Sequence, residues 1–204
     1  MKNTEIIGYI SGLLVIASIV PYLFRIWQKK ITPNITSWSL WTLIGFALLL
    51  TYKSSGAKAN IWPAVFGFIN PLLVTIVAII RQGELLKMDK TEKYCLAIGL
   101  ISLFMWYYLR ENKNLVQYAL YAAILADLCA AIPTIKLVWK KPWDDRPFMW
   151  SCYSLGYGLG MFAITEYTFA NYSLPAYMFL GALSVALPLI LYRIKNKIPL
   201  REWI

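Results

Sequence analysis

Residues 9–27, YISGLLVIASIVPYLFRIW, and residues 121–139, YAAILADLCAAIPTIKLVW, carry one pattern twice. A shift of 112 positions lays Tyr9 on Tyr121, Leu13 on Leu125, Pro21 on Pro133 and Trp27 on Trp139. The register continues without a gap through Lys29 on Lys141, Trp38-Ser39 on Trp150-Ser151 and Leu43 on Leu155. It still holds at Pro63-Ala64 on Pro175-Ala176 and at Arg81 on Arg193. Proline, tryptophan, tyrosine and basic residues dominate the shared positions, and apolar composition alone does not align these at one offset. The pattern reads as an internal duplication, which in a membrane chain points to a transporter.

Composition names the solvent. Hydrophobic residues make up 59% of the 204, and the mean hydropathy is +0.56, both too high for a soluble domain of this length. Crossing hydrocarbon takes about 20 apolar residues as helix, because each backbone amide must be satisfied within its own segment. Seven stretches qualify, at residues 6–27, 37–52, 61–80, 94–109, 115–139, 148–165 and 174–192. The first has too long an apolar run for a signal peptide and no small-residue cleavage site after it, so it reads as a span. The expected fold is therefore an all-α membrane protein of seven transmembrane helices. Spans one to three (residues 1–81) form one unit and spans five to seven (113–204) the other, with residues 82–112 supplying a loop and a linker helix. Three spans reverse the chain and a lone linker reverses it again, so the two units are expected to be parallel, related by an axis along the membrane normal.

Alternate loops differ sharply in charge. One face collects Arg25, Lys29, Lys30, Arg81, Lys87, Lys90, Lys93, Lys136, Lys140, Lys141, Arg146, Arg193, Lys195, Lys197 and Arg201. The other has only Lys2, Lys53, Lys58, Arg110 and Lys113. Fifteen against five predicts a cytoplasmic C-terminus and an outside N-terminus, in a plasma (inner) membrane. The +10 net charge is then a topology signal. No segment outside the membrane is long enough for a nucleic-acid surface, so solute and lipid are the expected partners. Trp27, Trp62, Trp106, Tyr107, Tyr108, Trp139 and Trp143 fall at span ends, where amphipathic rings prefer the headgroup level.

An enzyme is not expected. The chain has no histidine, which removes Ser-His and Cys-His nucleophile pairs and the commonest metal ligand. No arrangement of Asp, Glu, Cys or Ser has catalytic spacing, and no cofactor is implied. Cys95, Cys129 and Cys152 read as small apolar packing residues within spans. Of the two glycosylation sequons, at Asn34 and Asn171, only Asn171 is on the outer side, and it is a candidate only in a eukaryotic source.

Ile19-Val20-Pro21-Tyr22 leading to Ser37-Trp38-Ser39-Leu40-Trp41, and Ala131-Ile132-Pro133-Thr134 leading to Trp150-Ser151-Cys152-Tyr153, share a layout. A proline near the inner end of one span, a basic loop and a Ser/Trp start to the next resemble the PQ-loop superfamily, which includes the SWEET sugar transporters. Tyr22 and Thr134 replace the glutamine of that motif, and spans two and six lack the prolines that SWEET proteins share. The resemblance implies the three-plus-one-plus-three fold and transport of a small solute. It also implies an asparagine of span three against the substrate, a position that Asn70 matches.

Depth counting gives the same residue independently. Asn70 and Asp127 fall near the middle of spans three and five, where an aspartate costs ~2.5–3.5 kcal/mol on insertion scales and so faces a cavity or a partner. Asn70 also has a purely structural reading, as an interhelical hydrogen bond stiffening the Asn70-Pro71 kink. Trp41 and Tyr153 are repeat partners one turn inside the basic face and are expected to line the solute path. Trp38 and Trp150, one turn nearer the interface, are expected to be belt anchors. Thr42, Ser154 and Ser184 lie near enough to mid-depth to offer hydroxyls. Pro21 and Pro133 each remove a helical hydrogen bond at matching positions, so paired kinks there read as an inner gate.

Three functional classes follow. The first is a carrier for a sugar or similar neutral polar solute, working by alternating access. The second is a proton- or cation-coupled carrier for an amino acid, vitamin or nucleoside, with Asp127 as the titrating group. The third is a membrane receptor or scaffold that binds without transport. Both units lie in one chain, so an oligomer is not required.

Overall fold

Side chains that begin helices mark out the architecture. Asn34 Oδ1 accepts from the Ser37 amide at 3.2 Å and opens α2 (Ile35–Ser54). Asp89 and Glu92 cap one another's amides at 2.7 and 3.0 Å at the start of α4 (Lys90–Leu109). Asn112 begins α5 (Lys113–Lys140), and Thr168 begins α7 (Phe169–Lys195). Each satisfies an amide that the first helical turn leaves without a partner. With α1 (Asn3–Trp27), α3 (Trp62–Gln82) and α6 (Pro147–Gly160), they make seven long helices in a computed structural model that describes residues 2–82 and 88–204. The described chain is all-α, with no strand. Lys87, counted above among the basic-face cations, lies outside the described residues, as does part of the expected 82–93 connector.

Five helices, α1, α2, α3, α5 and α7, are long and apolar enough to cross a membrane. The other two fall short for different reasons. Helix α4 has Lys90, Glu92 and Lys93 in its first turn and Trp106-Tyr107-Tyr108 in its last, leaving a brief apolar centre. Helix α6 has only 14 residues, where a span over 148–165 was expected. Its glycines at 156, 158 and 160 favour an early end, and residues 161–163 tighten into a 3-10 turn. At 1.5 Å per residue, α6 rises ~21 Å, less than the ~30 Å of a hydrocarbon core.

Neighbour relations form a ring. Helix α1 packs on α3 and α6, α2 on α3 and α5, and α7 on α5 and α6. Helix α4 sits outside this ring against α5 and α2. The α1–α6 crossing depends on Gly156, where an added Cβ would stand 2.6 Å from Val15 Cγ2 and 2.9 Å from the Ser11 carbonyl oxygen. The largest apolar cluster joins α2, α4, α5 and α7 through Ile44, Leu48, Cys95, Leu120, Ala123 and Leu174. Outward-facing Val20, Phe24, Ile80, Phe104, Leu155 and Leu180 are each at least 60% exposed. A soluble protein does not leave so wide an apolar surface in water.

Prolines inside helices release carbonyls four residues earlier, and three of these find donors on other helices. Pro71 frees the Gly67 carbonyl, which accepts from Tyr153 Oη at 3.4 Å. Pro175 frees that of Asn171, which accepts from Tyr52 Oη at 2.9 Å. Pro188 frees that of Ser184, which accepts from Trp139 Nε1 at 3.0 Å. Such cross-helix repair lets proline persist where no water can satisfy the backbone.

Asn171, the sequon considered above, is fully buried, and its Nδ2 donates to the Glu166 carbonyl at 2.9 Å. That nitrogen is where a glycan would attach, so the folded chain has no room for one there.

Candidate functional site

All six ring helices line one central cavity of about 100 Å³. At ~10–15 Å³ of such volume per water, it has room for roughly seven waters, the scale of a small organic solute. Helix α5 supplies Asp127, Ala131 and Thr134, and α3 supplies Ala64, Gly67, Asn70 and Pro71. Helix α2 contributes Trp38 and Trp41, α6 contributes Trp150, Tyr153 and Tyr157, and α7 contributes Tyr177 and Gly181. Ile19 comes from α1, and α4 contributes nothing.

Asp127 is the one carboxylate in this lining. Its Oδ2 accepts a hydrogen bond from Tyr177 Oη at 2.7 Å. Among the described residues it has no ion-pair partner, and no Lys or Arg lines the cavity. Asn70 is buried and faces two ways. Its Nδ2 donates to the Val15 carbonyl at 2.8 Å and to Ser18 Oγ at 3.4 Å, tying α3 to α1, while its Oδ1 has no partner. The structural reading of Asn70 is therefore visible in its bonds to α1, and the residue also stands in the cavity wall.

Tyr153 and Tyr157 are four residues apart on α6 and present their rings on one face, centroids 5.6 Å apart. A Cβ at residue 67 would collide with the Tyr157 hydroxyl, so glycine lets α3 approach α6 and leaves its carbonyl within reach of Tyr153. Trp41 meets Trp38 edge-on at 5.3 Å, and Trp38 packs on Tyr22 at 5.3 Å. Trp38 and Trp150 were expected at the headgroup belt, but both line the cavity. Trp38 is buried, and the Trp150 indole N–H donates to Asp145 Oδ2 in the loop before α6 at 2.8 Å.

The cavity thus brings together Asn70, Asp127, Trp41 and Tyr153 and leaves out Thr42, Ser154 and Ser184. Those three hydroxyls are turned onto main-chain carbonyls: Trp38 at 2.8 Å, Phe179 at 3.1 Å and Gly181 at 2.7 Å. Thr42 and Ser184 bond back within their own helices, as helical Ser and Thr commonly do, and Ser154 bonds across to α7. Of the two proposed hinges, Pro21 lines a second cavity of about 90 Å³ with Arg25, Asp145 and Arg146. Pro133 lines neither, although Thr134 beside it lines the central one. Tyr157 and Tyr177 were not among the expected site residues. The i, i+4 spacing of Tyr153 and Tyr157 was the available signal for the first. Tyr177 carried none.

No family model, curated protein or solved structure matches this chain. What it does has to be read from its own geometry.

The two ends of the ring differ. At the basic end, the buried Arg193 donates to the carbonyls of Pro142 at 3.1 Å and Asp145 at 2.6 Å. Arg25, at 3.1 Å, and Arg146 both donate to the main-chain oxygen of Ile204. Burial, and the guanidiniums of Arg25 and Arg193 nearby, lower the pKa of Arg146. At the opposite end, three loops meet on Glu166, which pairs with Lys58 at 2.7 Å and Lys113 at 3.8 Å. The Lys58 hydrogen bond, and then the charge of Lys113, hold the Glu166 carboxyl below its ordinary range. Tyr52, Asn60 and Asn171 form a buried hydrogen-bonded layer beneath this clasp.

Proposed function

We propose that this protein is a membrane carrier that moves a small polar solute by alternating access between two three-helix units, α1–α3 and α5–α7, with α4 as linker. The observation that carries the reading is the central cavity, built by six helices from both units and lined by Asp127 and Asn70 at mid-helix. Polar groups placed there face a water-filled path or a ligand, because lipid offers them nothing.

The neighbour pattern supports two equivalent units. Exchanging α1 with α5, α2 with α6 and α3 with α7 turns each helix contact of the ring into another that exists. Arg81 and Arg193, paired by the 112-residue register, supply a second sign. Arg81 donates to the Trp27 carbonyl at the end of α1, and Arg193 to the Pro142 carbonyl just beyond α5. Membership of the PQ-loop superfamily belongs to the same proposal.

The loop charges favour the basic end on the cytoplasmic side. In that orientation the Lys58–Glu166–Lys113 clasp is an outer closure, and the cavity wall reaches toward the cytoplasm at Trp38 and Trp150. Uptake into proteoliposomes, screened over sugars, amino acids, amines and nucleosides, tests the carrier reading. Saturable uptake of one class supports it, and no uptake of any class refutes it.

A further inference from the structure

The one charged side chain in the cavity lining is Asp127. Asn70 adds no open group, since its Nδ2 donates to α1 and its Oδ1 is fully buried. Asp127 has a single partner, the Tyr177 hydroxyl, and no cation among the described residues. The Tyr153 hydroxyl is directed onto the Gly67 carbonyl. A neutral polyol would bring no charge to offset that carboxylate. An anion would meet an uncompensated carboxylate.

The walls agree with the polar atoms. Trp41, Tyr153 and Tyr157 line the same cavity as Asp127, and aromatic rings attract cations strongly once water is excluded. A carboxylate in a largely apolar cavity without a counter-ion is unfavourable until a positive charge arrives, and no lysine or arginine of the lining supplies one.

We propose that the solute of this cavity is a small organic cation with N–H donors and a flat apolar body. Its charged group lies against Asp127, and its body lies among Trp41, Tyr153 and Tyr157. The proposal rests on the carrier reading of the same cavity and deepens it by naming the solute's charge.

The test uses the full chain in lipid nanodiscs and two probes of one shape, benzylguanidinium and its neutral isostere benzylurea, with glucose as a neutral polyol. Binding is read from tryptophan fluorescence, since Trp38, Trp41 and Trp150 line the cavity. Benzylguanidinium is expected to bind tenfold or more tightly than benzylurea, with saturation. In folded Asp127→Asn that preference is expected to disappear. Equal affinity for the two probes, no binding of either, or a preference that survives in folded Asp127→Asn would overturn the proposal. The wild-type comparison decides alone should the variant not fold. Proteoliposomes separate this proposal from the reading beneath it. Glucose uptake without charge preference defeats the cationic solute and leaves the carrier standing. Selective benzylguanidinium binding without translocation of any solute defeats the carrier and leaves the cation site standing.

Discussion

Tyr177 donates its hydroxyl to Asp127 Oδ2 at 2.7 Å, across the contact between α7 and α5. Among the described residues it is the sole donor to a carboxylate that lines the central cavity. The two substitutions that break this pair should act in opposite directions on stability. Tyr177→Phe leaves Oδ2 without its donor, at a cost of about 1–3 kcal/mol. Asp127→Asn removes the charge and keeps a carbonyl oxygen for Tyr177, so the folded state loses little or gains. Melting in detergent is expected to show a lower midpoint for Tyr177→Phe and an unchanged or higher one for Asp127→Asn. A large loss of stability in Asp127→Asn would mean that the carboxylate serves the fold.

Helix repair at proline gives a second expectation. Tyr52→Phe keeps the ring and removes the donor to the Asn171 carbonyl, which Pro175 cannot satisfy. A buried acceptor left unpaired costs about 1–3 kcal/mol, and the midpoint should fall accordingly. Pro175→Ala restores an amide to that carbonyl, so adding it to Tyr52→Phe should recover part of the loss. A double variant no more stable than Tyr52→Phe alone would argue against the pairing.

Gly156 and Gly181 should respond differently to the same added methyl. At Gly156 a Cβ meets Val15 and the Ser11 carbonyl across the α1–α6 crossing, whereas at Gly181 nothing stands within 4 Å. Gly156→Ala is expected to destabilise by about 1–3 kcal/mol through overpacking. Gly181→Ala is expected to be neutral or to stabilise by up to ~1 kcal/mol through helix propensity. Because Gly181 lines the cavity, its methyl should weaken solute binding while the fold is kept. Equal melting of the two variants would contradict the crossing described here.

Acid should loosen the end opposite the cations. The folded Glu166 carboxyl titrates below its ordinary value of 4.5 because Lys58 and Lys113 favour the charged form. Its stabilising contribution is therefore present above that value and is lost as pH falls through the lower folded one. Glu166→Gln should melt below wild type at neutral pH, and the gap should close as the carboxyl of wild type protonates. A gap that stays constant into acid would show that charge is not what holds the clasp.

Sidedness is open to a direct check. Single cysteines at Lys58 and Lys141, in a background lacking Cys95, Cys129 and Cys152, should react with an impermeant maleimide from opposite faces of the membrane. Labelling of both from one side would reverse the assignment of the loops.

Much of the fold was legible in the chain because hydropathy is local and additive. Apolar runs gave seven helices in order, and helix rise placed Asn70 and Asp127 at mid-depth before any contact was known. The capping residues Asn34, Asp89, Asn112 and Thr168 could be read the same way, since each acts on amides only two or three positions ahead. Prolines at 71, 175 and 188 also announce which carbonyls need a donor, because the missing amide is always four residues on.

Which direction each side chain takes around its helix was decided by the tertiary structure alone. In a soluble helix the apolar stripe marks the inner face, but lipid and protein interior are both apolar, so a spanning helix loses that signal. Thr42, Ser154 and Ser184 sit at suitable depth and turn to the backbone, whereas Trp38 and Trp150 turn inward. The donors that rescue the freed carbonyls, Tyr153, Tyr52 and Trp139, are 40 to 120 residues from them and have no local mark. Tyr177 reaches Asp127 only because α7 packs on α5. Depth along the membrane is a property of one segment, but facing is a property of its neighbours.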